Sequence, residues 1–130
     1  MKTFTRVVLV LGIFTVLSTV ALGQKTRIKF APGKTNAVVA GTLNGYKSKR
    51  VYVIHVRAGQ KMSTENVGNH NITLAIEGPP GSNFEQDMAA DCHSTNEIDP
   101  TAAGDYTITV TECLKADRWK GTFKLKVAVH

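Results

Sequence analysis

Apolar and polar residues alternate along four stretches of this chain with a period of two, the period of a β-strand that buries one face. Between Arg50 and Arg57, Tyr52, Ile54 and Val56 alternate with Val51, Val53, His55 and Arg57. Ile72, Leu74 and Ile76 alternate with Asn71, Thr73, Ala75 and Glu77, and Tyr106, Ile108 and Val110 with Thr107, Thr109 and Thr111. The last run sets Phe123, Leu125, Val127 and Val129 against Lys124, Lys126, Ala128 and His130, a strand with one wet face. Thr35 to Leu43 adds another segment with strand composition. Turn residues separate these runs: Pro32-Gly33, Asn44-Gly45, Ala58-Gly59-Gln60, Pro79-Pro80-Gly81 and Gly104-Asp105. No long helical period occurs. The pattern predicts an all-β domain, an antiparallel β-sandwich of about eight strands with a jelly-roll-like arrangement.

The first 23 residues follow a different pattern. Lys2 and Arg6 precede an apolar run from Val7 to Val20, which ends in the small-residue sequence Ala21-Leu22-Gly23. A charged start, a short apolar core and a small-residue exit predict a secretory signal peptide over 1–23, cleaved after Gly23. The run is shorter than the ~20 apolar residues a membrane-spanning helix needs. No cysteine follows the apolar core to carry a lipid, and no second hydrophobic segment follows it. The expected product, residues 24–130, is one domain, periplasmic or secreted, with no membrane span.

Removal of the leader leaves 14 basic residues against 10 acids, a net charge of +4. The two signs are segregated along the chain: residues 24–64 hold nine Lys and Arg and no acid, whereas residues 65–112 hold nine acids and no Lys or Arg. In an antiparallel domain such blocks become neighbouring strands, so opposite charges are expected to face one another across the sheets. The alternative is a two-signed surface that docks a charged partner.

Cys92 and Cys113 would share an oxidising compartment after export, and a disulfide between them is expected. The competing use is a metal site built from Asp91, Cys92, His93 and Cys113, but no second CxxC or HxxxH element completes tetrahedral spacing. His55, His70, His93 and His130 are scattered, and no nucleophile-elbow sequence or phosphate-binding glycine loop occurs. Catalysis therefore has no visible constellation; the expectation is a non-enzyme without a cofactor or metal. Nucleic acid is not an expected partner, because the basic half lacks interleaved exposed aromatics.

Phe30-Ala-Pro-Gly33, Val39-Ala-Gly-Thr-Leu-Asn-Gly-Tyr46, Tyr52 and Ala58-Gly-Gln60 fall in the order and spacing of the bacterial pre-peptidase C-terminal fold. Within that group the chain resembles the short exported inhibitors of g-type lysozyme. The resemblance covers most of residues 26–129 and returns at Ala103-Gly104-Asp105-Tyr106 and Ala116-Asp117-Arg118. It implies a stoichiometric inhibitor that inserts loops into the cleft of a muramidase. Gly104 and Tyr106 match a Ser-Gly-x-Tyr pattern of those inhibitors, with Ala103 in the place of the serine, and Arg118 matches an arginine before the final strand.

The candidate partner-binding residues are therefore Ala103, Gly104, Asp105, Tyr106, Arg118, Trp119 and Lys120. Each has a structural reading beside the functional one. Tyr106 shares a face with Ile108 and Val110 and reads as core, Gly104 as a positive-φ turn, and Trp119 as a plug for the end of the sandwich. A basic lysozyme would be steered by the acidic segment 82–105, which should then lie nearest the docking edge. The alternative function is a general module for peptidoglycan or anionic envelope polymers, using the basic block and Trp119.

Overall fold

The computed structural model describes residues 24–85, 92 and 95–130. The expected signal peptide lies outside the described residues. Eight strands follow one another: β1 (Lys25–Arg27), β2 (Asn36–Asn44), β3 (Lys49–Val56), β4 (Met62–Asn66), β5 (Ile72–Glu77), β6 (Thr95–Ile98), β7 (Gly104–Glu112) and β8 (Lys120–Val129). They form two four-stranded sheets, ordered β1-β3-β7-β5 and β2-β8-β4-β6. From β2 onward every connection crosses from one sheet to the other, the winding of a jelly roll. β1 is an addition, lying parallel against β3.

The alternation read from the sequence sets the core. Tyr52, Ile54 and Val56 of β3, Ile72, Leu74 and Ile76 of β5, Tyr106, Ile108 and Val110 of β7, and Phe123, Leu125, Val127 and Val129 of β8 are all buried between the sheets. Fully burying an aliphatic or Phe side chain of this kind is worth ~1.5–3 kcal/mol, so the inward rows of these strands carry the main favourable term in folding. The Tyr52 and Phe123 rings meet edge to face, 6.3 Å apart at an interplanar angle of 82°.

Three strands are marked neither by periodicity nor by strand composition. β4 carries only Met62 as an inward hydrophobe before Thr64, which is buried although polar. β6 lies inside the acidic segment 82–105 and shows no alternation, because Ile98 is its single apolar residue. β1 is exposed throughout and is defined by backbone pairing of Lys25, Thr26 and Arg27 with Val51, Tyr52 and Val53. Its presence corrects one assignment: Val53, on the outward face of β3, is buried at 8% exposure because Arg27 of β1 and Thr107 of β7 flank it.

Two cations of the basic block pair across strands with acids of the acidic block. Arg27 meets Asp105 at 3.1 Å and Lys61 meets Glu97 at 3.2 Å, each a residue of the basic block against one of the acidic block. Both pairs are about half exposed, so solvent screens them and each adds little to stability. Cys92 and Cys113 form a disulfide across 21 residues of chain, with Cα atoms 4.8 Å apart. This takes both sulfurs from the alternative metal site. Asp91 and His93, its other two members, lie outside the described residues.

Candidate functional site

β7 begins in one region nominated by the sequence, at Gly104, and ends at Glu112, whose carboxylate reaches the other at Trp119. Nine strand residues at ~3.3 Å each span nearly 30 Å. Ala103 to Tyr106 and Arg118 to Lys120 therefore occupy opposite ends of the sandwich and cannot form one site.

At the end where β7 finishes, a loop leads from Cys113 to β8 and is pinned from below. Tyr46, in the β2–β3 connection, donates its hydroxyl to the Ala116 carbonyl at 2.7 Å. The Trp119 amide donates to Glu112 Oε1 at 2.6 Å, and the Trp119 carbonyl accepts from the Gly45 amide at 3.3 Å. Trp119 Nε1 donates to the Asn71 carbonyl at 3.1 Å. The indole lies flat on the His70 ring, with centroids 4.1 Å apart at an interplanar angle of 8°, and packs against the core. Trp119 thus closes the end of the sandwich while its neighbours remain exposed.

Arg118 projects from this fixed loop with its guanidinium carbon 4.8 Å from the centroid of the Tyr46 ring. A guanidinium resting on an aromatic face keeps its N–H edge available to an acceptor and gains ~0.5–1 kcal/mol from the ring at an exposed site. It pairs with no carboxylate among the described residues. Lys120 opens β8 opposite Asn44. Lys47, Lys49 and Lys115 are also exposed at this end, against Asp117 and the buried Glu112. Glu112 is 1% exposed, and its Oε2 has no hydrogen-bond partner among the described residues.

The opposite end carries Glu97, Asp99 and Asp105 of the acidic segment beside Arg27, Arg57 and Lys61, and is braced internally. Asp105 accepts from Arg27 and bonds His55 Nδ1 at 3.0 Å. The Arg27 guanidinium first, and His55 second, hold the Asp105 carboxyl below the usual carboxylate range, while Asp105 raises Arg27 in turn. Tyr106 is 0% exposed; its hydroxyl accepts from the Ala102 amide at 3.0 Å and lies 3.3 Å from Ser82 Oγ. The ring is core, as the alternation indicates, and the hydroxyl positions the loop before β7. Gly104 has φ 136°, and a Cβ there would lie 2.7 Å from Pro79 Cβ, so both conformation and space call for glycine. Thr101, buried, donates to the Arg57 carbonyl at 2.6 Å and accepts from the Gln60 amide at 3.0 Å, tying the Ala58-Gly59-Gln60 turn to the same loop. Beside it, a cleft of about 380 Å³ is lined by residues that include Phe84, Glu85, Glu97, Ile98 and Asp99.

Arg118, Trp119 and Lys120 are together, as are Ala103, Gly104, Asp105 and Tyr106, but the two groups are apart. The acidic edge expected to steer a basic partner is the one remote from Arg118. Sequence reasoning left out Tyr46, His70 and Glu112. Two of them carried a signal: Tyr46 as the last residue of the Val39–Tyr46 motif, and Glu112 as an acid at the inward position that continues the row Tyr106, Ile108, Val110.

No protein-family profile and no curated protein sequence matches the chain. Solved structures do. The fold is similar to that of Aeromonas hydrophila PliG, a periplasmic lysozyme inhibitor of g-type lysozyme, with a TM-score of 0.61 at 24% identity over 82% of this chain and 96% of that one. The PliG of Salmonella Typhimurium gives a TM-score of 0.61 at 17% identity over 83% of this chain and 99% of that one. The pre-peptidase C-terminal domain of a Bacillus anthracis collagenase gives 0.50 at 18% identity over 83% and 96%. The chain therefore has the pre-peptidase C-terminal-like sandwich fold expected of it.

Proposed function

We propose that this protein is an exported, non-enzymatic inhibitor of g-type lysozyme that presents its Arg118 end to the active-site cleft. The observation that carries the reading is the Arg118 guanidinium, stacked on Tyr46 and paired with no carboxylate among the described residues, on a loop fixed by four hydrogen bonds. Glycosidases generally carry a pair of carboxyl groups flanking the scissile bond. A preorganised guanidinium is chemically matched to such a pair, because its donors accept a carboxylate in fork geometry and little side-chain entropy remains to be lost. The likeness to two inhibitor structures supports the same reading. Cleavage after Gly23 and a periplasmic or secreted location belong to this proposal, and the Cys92–Cys113 disulfide supports them.

Because Ala103 replaces the serine of the Ser-Gly-x-Tyr pattern and Tyr106 is buried, the Asp105 end supplies loop rigidity and long-range steering here. The experiment is a binding measurement with a g-type lysozyme on three forms of residues 24–130. Arg118→Ala is expected to weaken binding at least 30-fold, the low end of the ~2–5 kcal/mol for truncating one partner of a buried charged pair. Asp105→Lys is expected to slow association less than tenfold at low salt and leave dissociation unchanged. The reverse ranking would move the contact to the other end.

A second reading rests on the cations around Tyr46 and Trp119: Lys47, Lys49, Lys115, Arg118 and Lys120 would also suit an anionic glycan, making the domain an envelope-binding module. Salt-sensitive retention on peptidoglycan or lipopolysaccharide, with no effect on lysozyme, is its signature.

A further inference from the structure

The two sheets have four edges, and three of them carry features that discourage pairing with another chain. β1 is three residues long with two cations, one of them clasped to Asp105. β5 is covered beside Thr73, whose hydroxyl accepts from the Cys92 amide at 3.1 Å, and the disulfide fixes that approach. β6 is four residues long and carries Glu97. Short length, charge and a covering loop are the usual devices against edge-to-edge association.

β2 has none of them. It runs for nine residues, Asn-Ala-Val-Val-Ala-Gly-Thr-Leu-Asn, without a charged side chain, and among the described residues only β8 pairs with it. Two hydrogen bonds fix which residues face outward along the edge. The Val129 amide donates to the Thr35 carbonyl at 2.8 Å, so odd-numbered residues bond towards β8. Arg50, reaching round from β3, donates Nε to the Thr42 carbonyl at 3.0 Å and a terminal nitrogen to Thr42 Oγ1 at 3.1 Å, so even-numbered residues point away. The outward backbone groups of Asn36, Val38 and Ala40 have no partner among the described residues. Val38 in their middle is 56% exposed.

We infer that this edge pairs antiparallel with the β2 edge of a second copy of the chain, in a register centred on Val38. In that register Val38 faces its own mate, and Asn36 faces Ala40 of the other copy on both sides. Each outward group then meets an outward group, giving ~6 backbone hydrogen bonds from the three antiparallel pairs. The exposed Val38 side chains become cross-strand neighbours. Arg50 closes the Thr42 position at both ends and so excludes the longer overlap centred on Ala40. A second copy fits better than a charged peptide because the strand is neutral and complementary to itself. Lys124 and Lys126 lie one strand inward, opposite Ala40 and Val38. The lysine rows of the two copies would stand three strand spacings apart, ~14 Å. That exceeds the ~8 Å screening length at physiological salt, so repulsion is mild there and grows as salt is removed. The contact area is that of a single strand edge, which makes the dimer weak and concentration-dependent.

This inference is independent of lysozyme binding, since β2 pairs through its free edge and the Arg118 loop is not used. Sedimentation of residues 24–130, which hold every core residue, is expected to show reversible dimers that increase with concentration and with salt between 20 and 300 mM. Val38→Lys, a charge on an exposed position that leaves the core untouched, should weaken association at least tenfold while unfolding at the same temperature as the parent. Val38→Cys should cross-link readily to a second copy under mild oxidation, because the two Cα atoms would be ~5.5 Å apart. Ala40→Cys should not. A chain that stays monomeric at millimolar concentration, a Val38→Lys variant that associates like the parent, or equal cross-linking at both cysteines would overturn the inference.

Discussion

Gly41→Ala tests the packing of the sandwich where two buried rings, Phe123 and Tyr52, close on the backbone of β2. Gly41 is an inward position of β2, directly opposite Phe123 in the β2–β8 pair. It is not among the glycines with positive φ, so the backbone itself would accept alanine. Space would not. An added Cβ would lie 2.6 Å from Phe123 Cζ, 2.8 Å from Phe123 Cε1 and 2.7 Å from the Tyr52 hydroxyl. Non-bonded carbons are at their best separation near ~3.5–4.0 Å, so one of two buried rings must move by about an ångström. Phe123 is 0% exposed and Tyr52 5%, and their edge-to-face contact would have to change together. Overpacking of this kind costs ~1–3 kcal/mol, while removing a glycine from the unfolded chain offsets ~0.4–1 kcal/mol. The expected net result is a loss of about 1–2 kcal/mol, which for a domain of this size lowers Tm by roughly 5–15 °C. Urea unfolding with an unchanged m-value is the assay. A variant as stable as the parent, or more stable, would mean that the rings yield freely and that the Val39-Ala-Gly-Thr-Leu motif is not dictated by packing.

Replacing Cys92 and Cys113 together by alanine should cost about 3 kcal/mol in the chain-entropy model for a loop of this length, read as a lower urea midpoint; an unchanged midpoint would show that the 92–113 loop is already ordered by other contacts. Glu112→Ala should destabilise by about 1–3 kcal/mol by orphaning the Trp119 amide, and should shift the emission of the chain's single tryptophan; an unchanged spectrum would argue against the pinned loop. Asp105→Asn tests the brace at the Asp105 end through pH. Asp105 has its folded pKa depressed, so its stabilisation is complete above the unfolded value of about 3.9 and disappears as pH falls through the lower folded value. The variant should lose stability at neutral pH and show a flatter acid limb below about pH 4, and an identical acid limb would contradict the Arg27–Asp105–His55 cluster.

Legibility in the sequence followed the physics of each element. β3, β5, β7 and β8 show in the alternation because each buries three or more consecutive inward hydrophobes. β1, β4 and β6 do not, since their places depend on backbone pairing and on inward residues such as Thr64 that are polar. The candidate site divides in the same way. Arg118 and Trp119 stand out as an aromatic among cations, and Tyr106 as a core ring. The partners of the Arg118 loop are invisible locally, because Tyr46 reaches Ala116 across 70 residues and Asn71 reaches Trp119 across 48. The separation of the two nominated loops also required the structure, since adjacency in the sequence gives no measure of the length of β7 between them.

Inhibition through the Arg118 end is decided by titrating residues 24–130 against g-, c- and i-type lysozymes on cell-wall substrate, with binding followed separately by calorimetry. Lysis by the g-type enzyme is expected to stop at one inhibitor per enzyme, and Arg118→Ala to lose this block while keeping its fold. Full lysis in the presence of a large excess of the folded protein, with no heat of binding, would contradict it.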